Sequence, residues 1–314
     1  MKRRFLSRED RFAALMPPRL PAAPLLLVLA FGLARAAVPA PDLVFAAGSD
    51  WEVVSSGHQF AEGMAWDADG HLYFTDVPRG QLFRVDRATG AKTLVDAATG
   101  RANGIAFGPD GRLYGCASGD RCIYAWDPAT WRKTKVTEGT QSNDLVILRD
   151  GTIFYTEPGT MLVWRLAPRT FDREVAARLP WSPNGIGTSP DQRTLLVAEF
   201  NGDTIHGFPL EPGNRVAGPA RPAYKVAVPA DGQGKLDGLM TLPDGRLLIG
   251  TALGLQIVPP ESATGGAGRL VIVPSPQGRP RNNYVRVSPD GAWLYEAHAL
   301  DLLRRRLRPE FARP

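Results

Sequence analysis

The sequence predicts an all-β protein folded as one six-bladed β-propeller, and three observations support this prediction. The chain has 33 Gly and 28 Pro among 314 residues, with 44% hydrophobic and 22% charged residues, which is typical of a globular protein rich in turns. An Asp-centred turn followed by an apolar strand recurs six times. No helical periodicity separates the strands, which argues against a parallel α/β fold.

The repeated turn sets the length of each blade. Successive turn aspartates are 41, 40, 41, 53 and 46 residues apart, which is the spacing of four-stranded propeller blades: Asp69, Asp110, Asp150, Asp191, Asp244 and Asp290. Gly follows the Asp in every repeat except the fourth, which has Gln192. Asp-Gly between apolar runs is a strong hairpin signal. The segment 51–56 is predicted to close the ring by joining the last blade.

The N-terminal segment predicts export. Basic residues precede the apolar run 24–34, which is too short to span a bilayer comfortably, and Ala34-Arg35-Ala36 follows it. We interpret residues 1–36 as a secretory signal peptide cleaved after Ala36, and residues 37–314 as the propeller domain. An uncleaved membrane anchor is the alternative. Either interpretation places the folded domain outside the cytoplasm, in the periplasm or secreted.

The charge of the chain does not predict a nucleic-acid partner. The net charge is +5, but the chain without residues 1–36 has 30 cationic and 30 anionic residues. The basic run 304–308 lacks interleaved aromatic residues, and we interpret it as a solvated edge strand. We therefore expect no nucleic-acid partner. We also expect a small-molecule substrate, no stable membrane insertion after cleavage, and a monomer.

The chain has two cysteines, Cys116 and Cys122, which flank a short turn between two predicted strands. An exported protein can keep such a pair oxidised, so we predict a structural disulfide. Two reduced core thiols are the alternative. No His or further Cys lies nearby to complete a soft metal site.

A column of polar side chains accompanies the repeat. The residue seven positions before each turn aspartate is always a carboxylate or a carboxamide: Glu62, Asn103, Asn143, Asn184, Asp237 and Asn283. These residues begin the innermost strand of each predicted blade, so an equal register places them at one level around the central channel.

Such a column predicts a cation site. Two carboxylates and several amide oxygens in a confined channel would be poorly solvated without a cation. Oxygen ligands favour Ca²⁺, with Mg²⁺, Mn²⁺ or Zn²⁺ as alternatives. The other interpretation is that these residues only cap turns. Glu62 would be an unusual turn former.

These motifs resemble the senescence marker protein/gluconolactonase/luciferin-regenerating-enzyme family. The resemblance rests on Glu62-Gly, Asn143-Asp, Ser182-Pro-Asn-Gly and Asp237-Gly, and it extends over about residues 51–307. It implies that Glu62, Asn143, Asn184 and Asp237 hold one divalent cation. Asn103, Asn283 and Asp144 would then contact the substrate. No Arg directly follows Asn103, where it would contact a sugar acid.

The resemblance implies a metal-dependent lactonase or related esterase. The cation would polarise the ester carbonyl and lower the pKa of a water molecule, and Asp237 would act as base or nucleophile. No Gly-x-Ser-x-Gly motif indicates a serine hydrolase. Two alternatives remain: a non-catalytic periplasmic propeller with a structural cation, and a propeller resembling strictosidine synthase with a catalytic Glu in a later blade.

Overall fold

The structure is a computed structural model, and it describes residues 38–39, 43–260 and 269–312. The chain divides into the units Met1–Ala36 and Ala37–Pro314. The predicted signal peptide lies outside the described residues. Within the described ranges the protein consists of β-strands, turns and short 3-10 segments, one of which is Pro158–Thr160, and it has no α-helix. The all-β prediction is confirmed. Among these residues, no helix is long and apolar enough to cross a bilayer.

The first half of the strands forms three antiparallel units. Unit 1 contains the second part of β2 (Glu52–Trp66), then β3 (Leu72–Asp76), β4 (Gln81–Val85) and β5 (Lys92–Asp96). Unit 2 contains β6 (Ala102–Phe107), β7 (Leu113–Ala117), β8 (Cys122–Trp126) and β9 (Lys133–Glu138). Unit 3 contains β10 (Leu145–Ile147), β11 (Ile153–Glu157), β12 (Leu162–Leu166) and β13 (Arg173–Arg178).

The second half forms three further units. Unit 4 contains β14 (Pro183–Thr188), β15 (Thr194–Glu199), β16 (Thr204–Glu211), β17 (Arg215–Val216) and β18 (Arg221–Lys225). Unit 5 contains β19 (Leu239–Thr241), β20 (Leu247–Thr251), β21 (Gly254–Val258) and β22 (Val271–Val273), with β1 (Val38–Pro39) parallel to β22. Unit 6 contains β23 (Tyr284–Val287), β24 (Trp293–Ala297), β25 (Ala299–Arg306) and the first part of β2.

Strand β2 belongs to two units. Its first part pairs with β25, with Glu52 opposite Arg304 and Ser56 opposite Asp301. Its second part pairs with β3. Units 1 and 6 therefore form one seven-stranded sheet. The prediction that residues 51–56 add a strand to the last unit is confirmed.

The six units form a closed ring. The first strand of each unit lies beside the first strand of the next unit, and β23 of unit 6 lies beside β2 of unit 1. Six hydrophobic clusters fill the junctions between consecutive units, including the junction between units 6 and 1. Because each strand alternates its side chains between two faces, each unit contributes apolar residues to both of its neighbours.

The hairpin turns between the first two strands have the predicted chemistry. The residue after each turn aspartate has a positive φ, including Gln192 at 60°. In units 2 to 6 the turn aspartate accepts a hydrogen bond from the backbone N–H two residues later, at 2.9–3.2 Å. These bonds fix the end of each first strand opposite the polar column.

The predicted disulfide between Cys116 and Cys122 is not formed, and both thiols are buried and free. Strand pairing gives the reason. Cys122 lies opposite Ala117, whereas Cys116 lies opposite Ile123. A shift of one residue places the two side chains on opposite faces of the sheet. Cys116 accordingly packs towards unit 3, and Cys122 packs towards unit 1.

The interpretation of the basic run as an edge strand is wrong for its strand residues. Strand β25 pairs with both β24 and β2. The guanidinium of Arg304 bonds to Glu52 at 2.8 Å and lies over the ring of Trp293. The run is therefore an internal part of the ring closure.

Candidate metal and substrate site

The column residues lie at the starts of the first strands, as the register predicts. Glu62 is in β2, Asn103 is in β6 and Asn184 is in β14, while Asn143, Asp237 and Asn283 precede β10, β19 and β23 by one or two residues. Asn103, Asn143 and Asn184 are half-buried. Glu62, Asp237 and Asn283 are buried, with exposures of 3%, 6% and 1%. The column therefore has an accessible amide side and a buried acidic side.

The backbone of the column is bonded from unit to unit. The N–H of Gly104 donates to the Asn143 carbonyl at 3.0 Å, and the N–H of Gly238 donates to the Asn283 carbonyl at 3.0 Å. The hydroxyl of Thr156 donates to the Asn184 carbonyl at 2.7 Å. These bonds hold neighbouring units at a fixed separation and leave the side chains to define the site.

The residue after each column position explains the recurrent glycine. It is Gly in units 1, 2, 4 and 5, but Asp144 in unit 3 and Tyr284 in unit 6. A Cβ at Gly104 would overlap the Asp144 carboxylate, and a Cβ at Gly238 would overlap the Tyr284 ring. Glycine is therefore required at these two positions because the neighbouring large side chains occupy the space.

Asp144 and Tyr284 meet across the ring. Their units are three steps apart in either direction, and the Tyr284 hydroxyl donates to Asp144 Oδ1 at 3.2 Å. Arg286 Nη2 donates to the same hydroxyl at 2.6 Å, and its guanidinium lies over the Tyr284 ring. Asp144 is 2% exposed and Tyr284 is 1% exposed. We call these three side chains the central triad.

The buried carboxylates have raised pKa values. Burial is the main cause of the raised pKa of Glu62, and the charges of Asp237 and Asp144 raise it further, while the bond from Asn283 Nδ2 at 2.6 Å lowers it. Burial also raises the pKa of Asp237, although Arg281 Nη2 donates to it at 2.7 Å. The Gly238 N–H and the Asn184 side chain also act to lower the pKa of Asp237.

The ionised form of Asp144 is also destabilised by burial. Burial raises its pKa to about 6, against the opposing charge of Arg286 and the bonds from the N–H groups of Leu145 and Ile186. Three carboxylates thus lie in one buried region with few donors. A cation would relieve their mutual repulsion and desolvation.

The donor set fits a hard divalent cation. Glu62, Asn143, Asn184 and Asp237 offer only carboxylate and amide oxygens, which are the ligands that Ca²⁺ prefers. Glu62 has one side-chain hydrogen-bond donor, Asn283, although it is buried. A buried carboxylate with so few hydrogen-bond donors is stabilised by a nearby positive charge. The four residues predicted as ligands are therefore chemically suited to the role.

A separate acidic group lies at the far end of β2. Ligand atoms of Asp67, Asp69 and His71 are within 4.8 Å of one another. Asp67 accepts hydrogen bonds from the His71 N–H at 2.9 Å and the Tyr73 hydroxyl at 3.0 Å. These bonds are those of a turn in which Asp67 caps the following strand. The group lies at the opposite end of the first strand from the column.

A cleft opens beside the accessible side of the column. Its volume is about 500 Å³, and it is lined by Arg101, Asn103, Ser118, Gly119, Arg121, Gln141, Ser142, Asn143, Pro158 and Gly159. A second cleft of about 320 Å³ contains Asp110 and Asp150, whose turns lie at the opposite ends of the first strands. Only the first cleft adjoins column residues, so it is the candidate substrate site.

The three residues predicted to contact substrate differ in whether they line the cleft. Asn103 lines the cleft. The Asn283 amide donates to Glu62 and to the Ala61 carbonyl, and it accepts from the Ala299 N–H. The Asn283 side chain thus makes its hydrogen bonds within the protein, as the Asp144 side chain does in the central triad. Their contact with substrate stays a prediction, while the geometry gives both a positioning role.

Sequence reasoning assigned no role to four residues of this region. Arg281 binds Asp237, and Tyr284 and Arg286 complete the central triad. The cleft includes Arg101, two residues before Asn103 rather than after it. A signal for Tyr284 was present, because units 3 and 6 are the two that lack glycine after the column residue.

Comparisons with known proteins identify the family of this chain. Residues 60–259 match the family model described as SMP-30/Gluconolactonase/LRE-like region, and the chain belongs to this family. A gluconolactonase of Zymomonas mobilis subsp. mobilis is 25% identical over 194 residues, which are 51% of this chain and 54% of that protein. The chain therefore spans about half the length of this curated relative.

Two solved structures have the same fold. A gluconolactonase from Xanthomonas campestris has a TM-score of 0.73 at 22% identity, covering 87% of this chain and 94% of that chain. Regucalcin from Agrobacterium tumefaciens, described as a calcium-binding protein, has a TM-score of 0.67 at 17% identity, covering 85% of this chain and 96% of that chain.

Proposed function

We propose that this protein is a metal-dependent lactonase of small lactones or esters. The observation that carries the proposal is the buried pair Glu62 and Asp237, both with raised pKa values, in the same column as Asn103 and Asn143, which line a cleft. The gluconolactonase relatives support lactone hydrolysis. The closed ring of six sheet units supports a six-bladed β-propeller as the scaffold.

The proposed ligands are Glu62, Asn143, Asn184 and Asp237, and Ca²⁺ is the proposed cation. The calcium-binding relative is in agreement with this choice. A bound divalent cation would polarise an ester carbonyl and lower the pKa of a water molecule. Periplasmic or secreted location and a monomeric state are further parts of the proposal.

The protein side chains have distinct roles in hydrolysis. Asp237 takes a proton from water while the water oxygen attacks the carbonyl carbon. The bond between this carbon and the ring oxygen then breaks, and the ring oxygen receives a proton to give a hydroxy acid. Arg281 donates to Asp237 Oδ2 and so fixes the orientation of the carboxylate. Direct attack by Asp237 is the alternative that preserves the same products.

The test is hydrolysis of a lactone panel with and without a chelator. We expect chelation to abolish activity and added Ca²⁺ to restore it. Asp237→Asn should lower kcat by about 10²–10⁴-fold, which is the usual contribution of acid–base catalysis. Glu62→Gln should mainly weaken Ca²⁺ binding, measured by calorimetry.

The matched control is Asp69→Asn, which removes an exposed carboxylate from the separate acidic group. This variant should retain both activity and Ca²⁺ affinity. Full activity of Glu62→Gln and Asp237→Asn, with chelation lowering only the melting temperature, would refute catalysis. That result would favour a non-catalytic propeller with a structural cation.

A further inference from the structure

Cationic residues recur beside the polar column in the sequence. The residues two positions before the column, one from each unit, include three cations and no anion: Phe60, Arg101, Gln141, Ser182, Lys235 and Arg281. Arg281 is bonded to Asp237, and Lys235 donates to the side chains of Asn201 and Gln233. Arg101 is the cation of this set that lines the cleft.

Arg101 shares the cleft with a second arginine, Arg121. Both residues are exposed, and neither guanidinium has a hydrogen bond or ion pair among the described residues. Other arginines of the protein, such as Arg165 and Arg246, bond to carboxylates. The cleft therefore has two charged groups without intramolecular neutralisation.

The backbone at both arginines is in the left-handed region. The φ angles are 58° at Arg101 and 54° at Arg121. Glycine occupies the position equivalent to Arg121 in unit 1, where Gly80 precedes β4. The same conformation occurs at Met161, which precedes β12 at the equivalent position of unit 3, and at Lys235, two positions before the column in unit 5. The left-handed conformation is therefore a recurring property of these turns.

Nearby carboxylates do not neutralise the cleft. Asp120 accepts the Tyr124 hydroxyl at 2.8 Å. Glu157 is 5% exposed and accepts bonds from Thr140, Thr160, Trp164 and the Gln141 N–H. Neither residue lines the cleft, whose lining includes no acidic side chain. A volume of about 500 Å³ matches a small-molecule site.

We propose that the substrate is an anionic lactone, whose phosphate or carboxylate group is bound by Arg101 and Arg121. The lactone ring would lie beside Asn103 and Asn143, and the anionic group would lie at the outer end of the cleft. This inference rests on the proposed lactonase function and adds the substrate class. Planar guanidinium groups bind phosphate and carboxylate oxygens through two hydrogen bonds each, which makes arginine suitable for this role.

The test compares three lactones with the same ring: glucono-δ-lactone, its 6-phosphate and its 6-carboxylate analogue, each corrected for spontaneous hydrolysis. We expect kcat/KM to be at least 10-fold higher for one of the two anionic lactones than for the neutral one. The preferred anionic lactone identifies the bound group. Its KM should rise with ionic strength, because screening weakens the attraction between exposed charges.

Arg101→Gln and Arg121→Gln test the two residues. Each should lower kcat/KM for the anionic lactone by roughly 10-fold or more, mainly through KM, because a hydrogen bond to a charged group is lost. Hydrolysis of the neutral lactone should fall less than hydrolysis of the anionic lactone, because the neutral ring lacks the group that the guanidinium binds. Arg193→Gln, in the distant turn of unit 4, is the matched control and should change neither substrate. Equal effects on both substrates would overturn the inference and leave the lactonase proposal intact.

A binding measurement separates this inference from the proposed function. 1,5-Anhydroglucitol 6-phosphate and 1,5-anhydroglucitol have the ring without the reactive carbonyl. Calorimetry should show at least 10-fold tighter binding of the phosphate, reduced by Arg121→Gln. Equal binding of the two compounds overturns the inference, whether or not any lactone is hydrolysed. Absence of hydrolysis with selective phosphate binding instead refutes only the lactonase proposal.

Discussion

Replacing Tyr284 with Phe tests whether the central triad holds the ring together. The substitution removes the hydroxyl that donates to Asp144 at 3.2 Å and accepts from Arg286 at 2.6 Å, and it preserves the aromatic ring. Asp144 retains the bonds from the Leu145 and Ile186 N–H groups. Arg286 retains bonds to the Leu239 and Val285 carbonyls. The variant should therefore fold but be less stable.

The expected loss follows from burial. Removal of one partner from a buried polar pair costs about 1–3 kcal/mol, which corresponds to a decrease in Tm of roughly 2–10 °C for a domain of this size. Differential scanning calorimetry and urea unfolding in the presence of Ca²⁺ measure this change. The Glu62 and Asp237 side chains are not replaced, so we expect the activation free energy of hydrolysis to change less than the free energy of unfolding.

Tyr155→Phe is the matched control. Its hydroxyl is buried and has no hydrogen-bond partner among the described residues. Loss of this hydroxyl should be neutral or slightly stabilising. Equal Tm values for Tyr284→Phe and wild type, or an equal loss in both variants, would refute the role of the triad.

Two further predictions concern pH and the thiols. In a chelator, wild type should become less stable relative to Asp144→Asn as pH rises from 4 to 7, because Asp144, with a pKa of about 6, keeps its proton in the folded state after the unfolded chain has ionised. The expected difference in the free energy of unfolding is roughly 2–3 kcal/mol. Ca²⁺ should reduce this difference, and parallel pH profiles of the two proteins would contradict the assignment. Cys116 and Cys122 should react with a thiol reagent only after denaturation, since burial raises both pKa values, and a native protein whose mass shows an oxidised pair would contradict the strand register.

Local signals in the sequence were sufficient to predict much of the fold. The Asp-Gly turns require a positive φ and hydrogen-bond the following backbone, so they locate the hairpins without tertiary information. The residue seven positions earlier then locates the start of each first strand. The joining of residues 51–56 to the last unit follows because a ring of sheets must cover its open edges.

The rest of the site depends on contacts that local patterns do not specify. Asp144 and Tyr284 are 140 residues apart, and Arg281 is 44 residues from Asp237. Their meeting depends on the diameter of the ring and on which units face each other. The cysteine prediction failed for a different reason: it required the strand register, and a shift of one residue exchanges the faces of the sheet.

The double membership of β2 also has a consequence for folding. Glu52 and its partner Arg304 are separated by 252 positions, so the last junction joins nearly the two ends of the domain. A chain made from its N-terminus must complete β25 before this pairing is available. Because contacts so distant in sequence are costly in loop entropy, closure is expected to be a late and slow step of folding. Until that step, the first part of β2 and the outer edge of unit 6 are unpaired edges exposed to association with other chains.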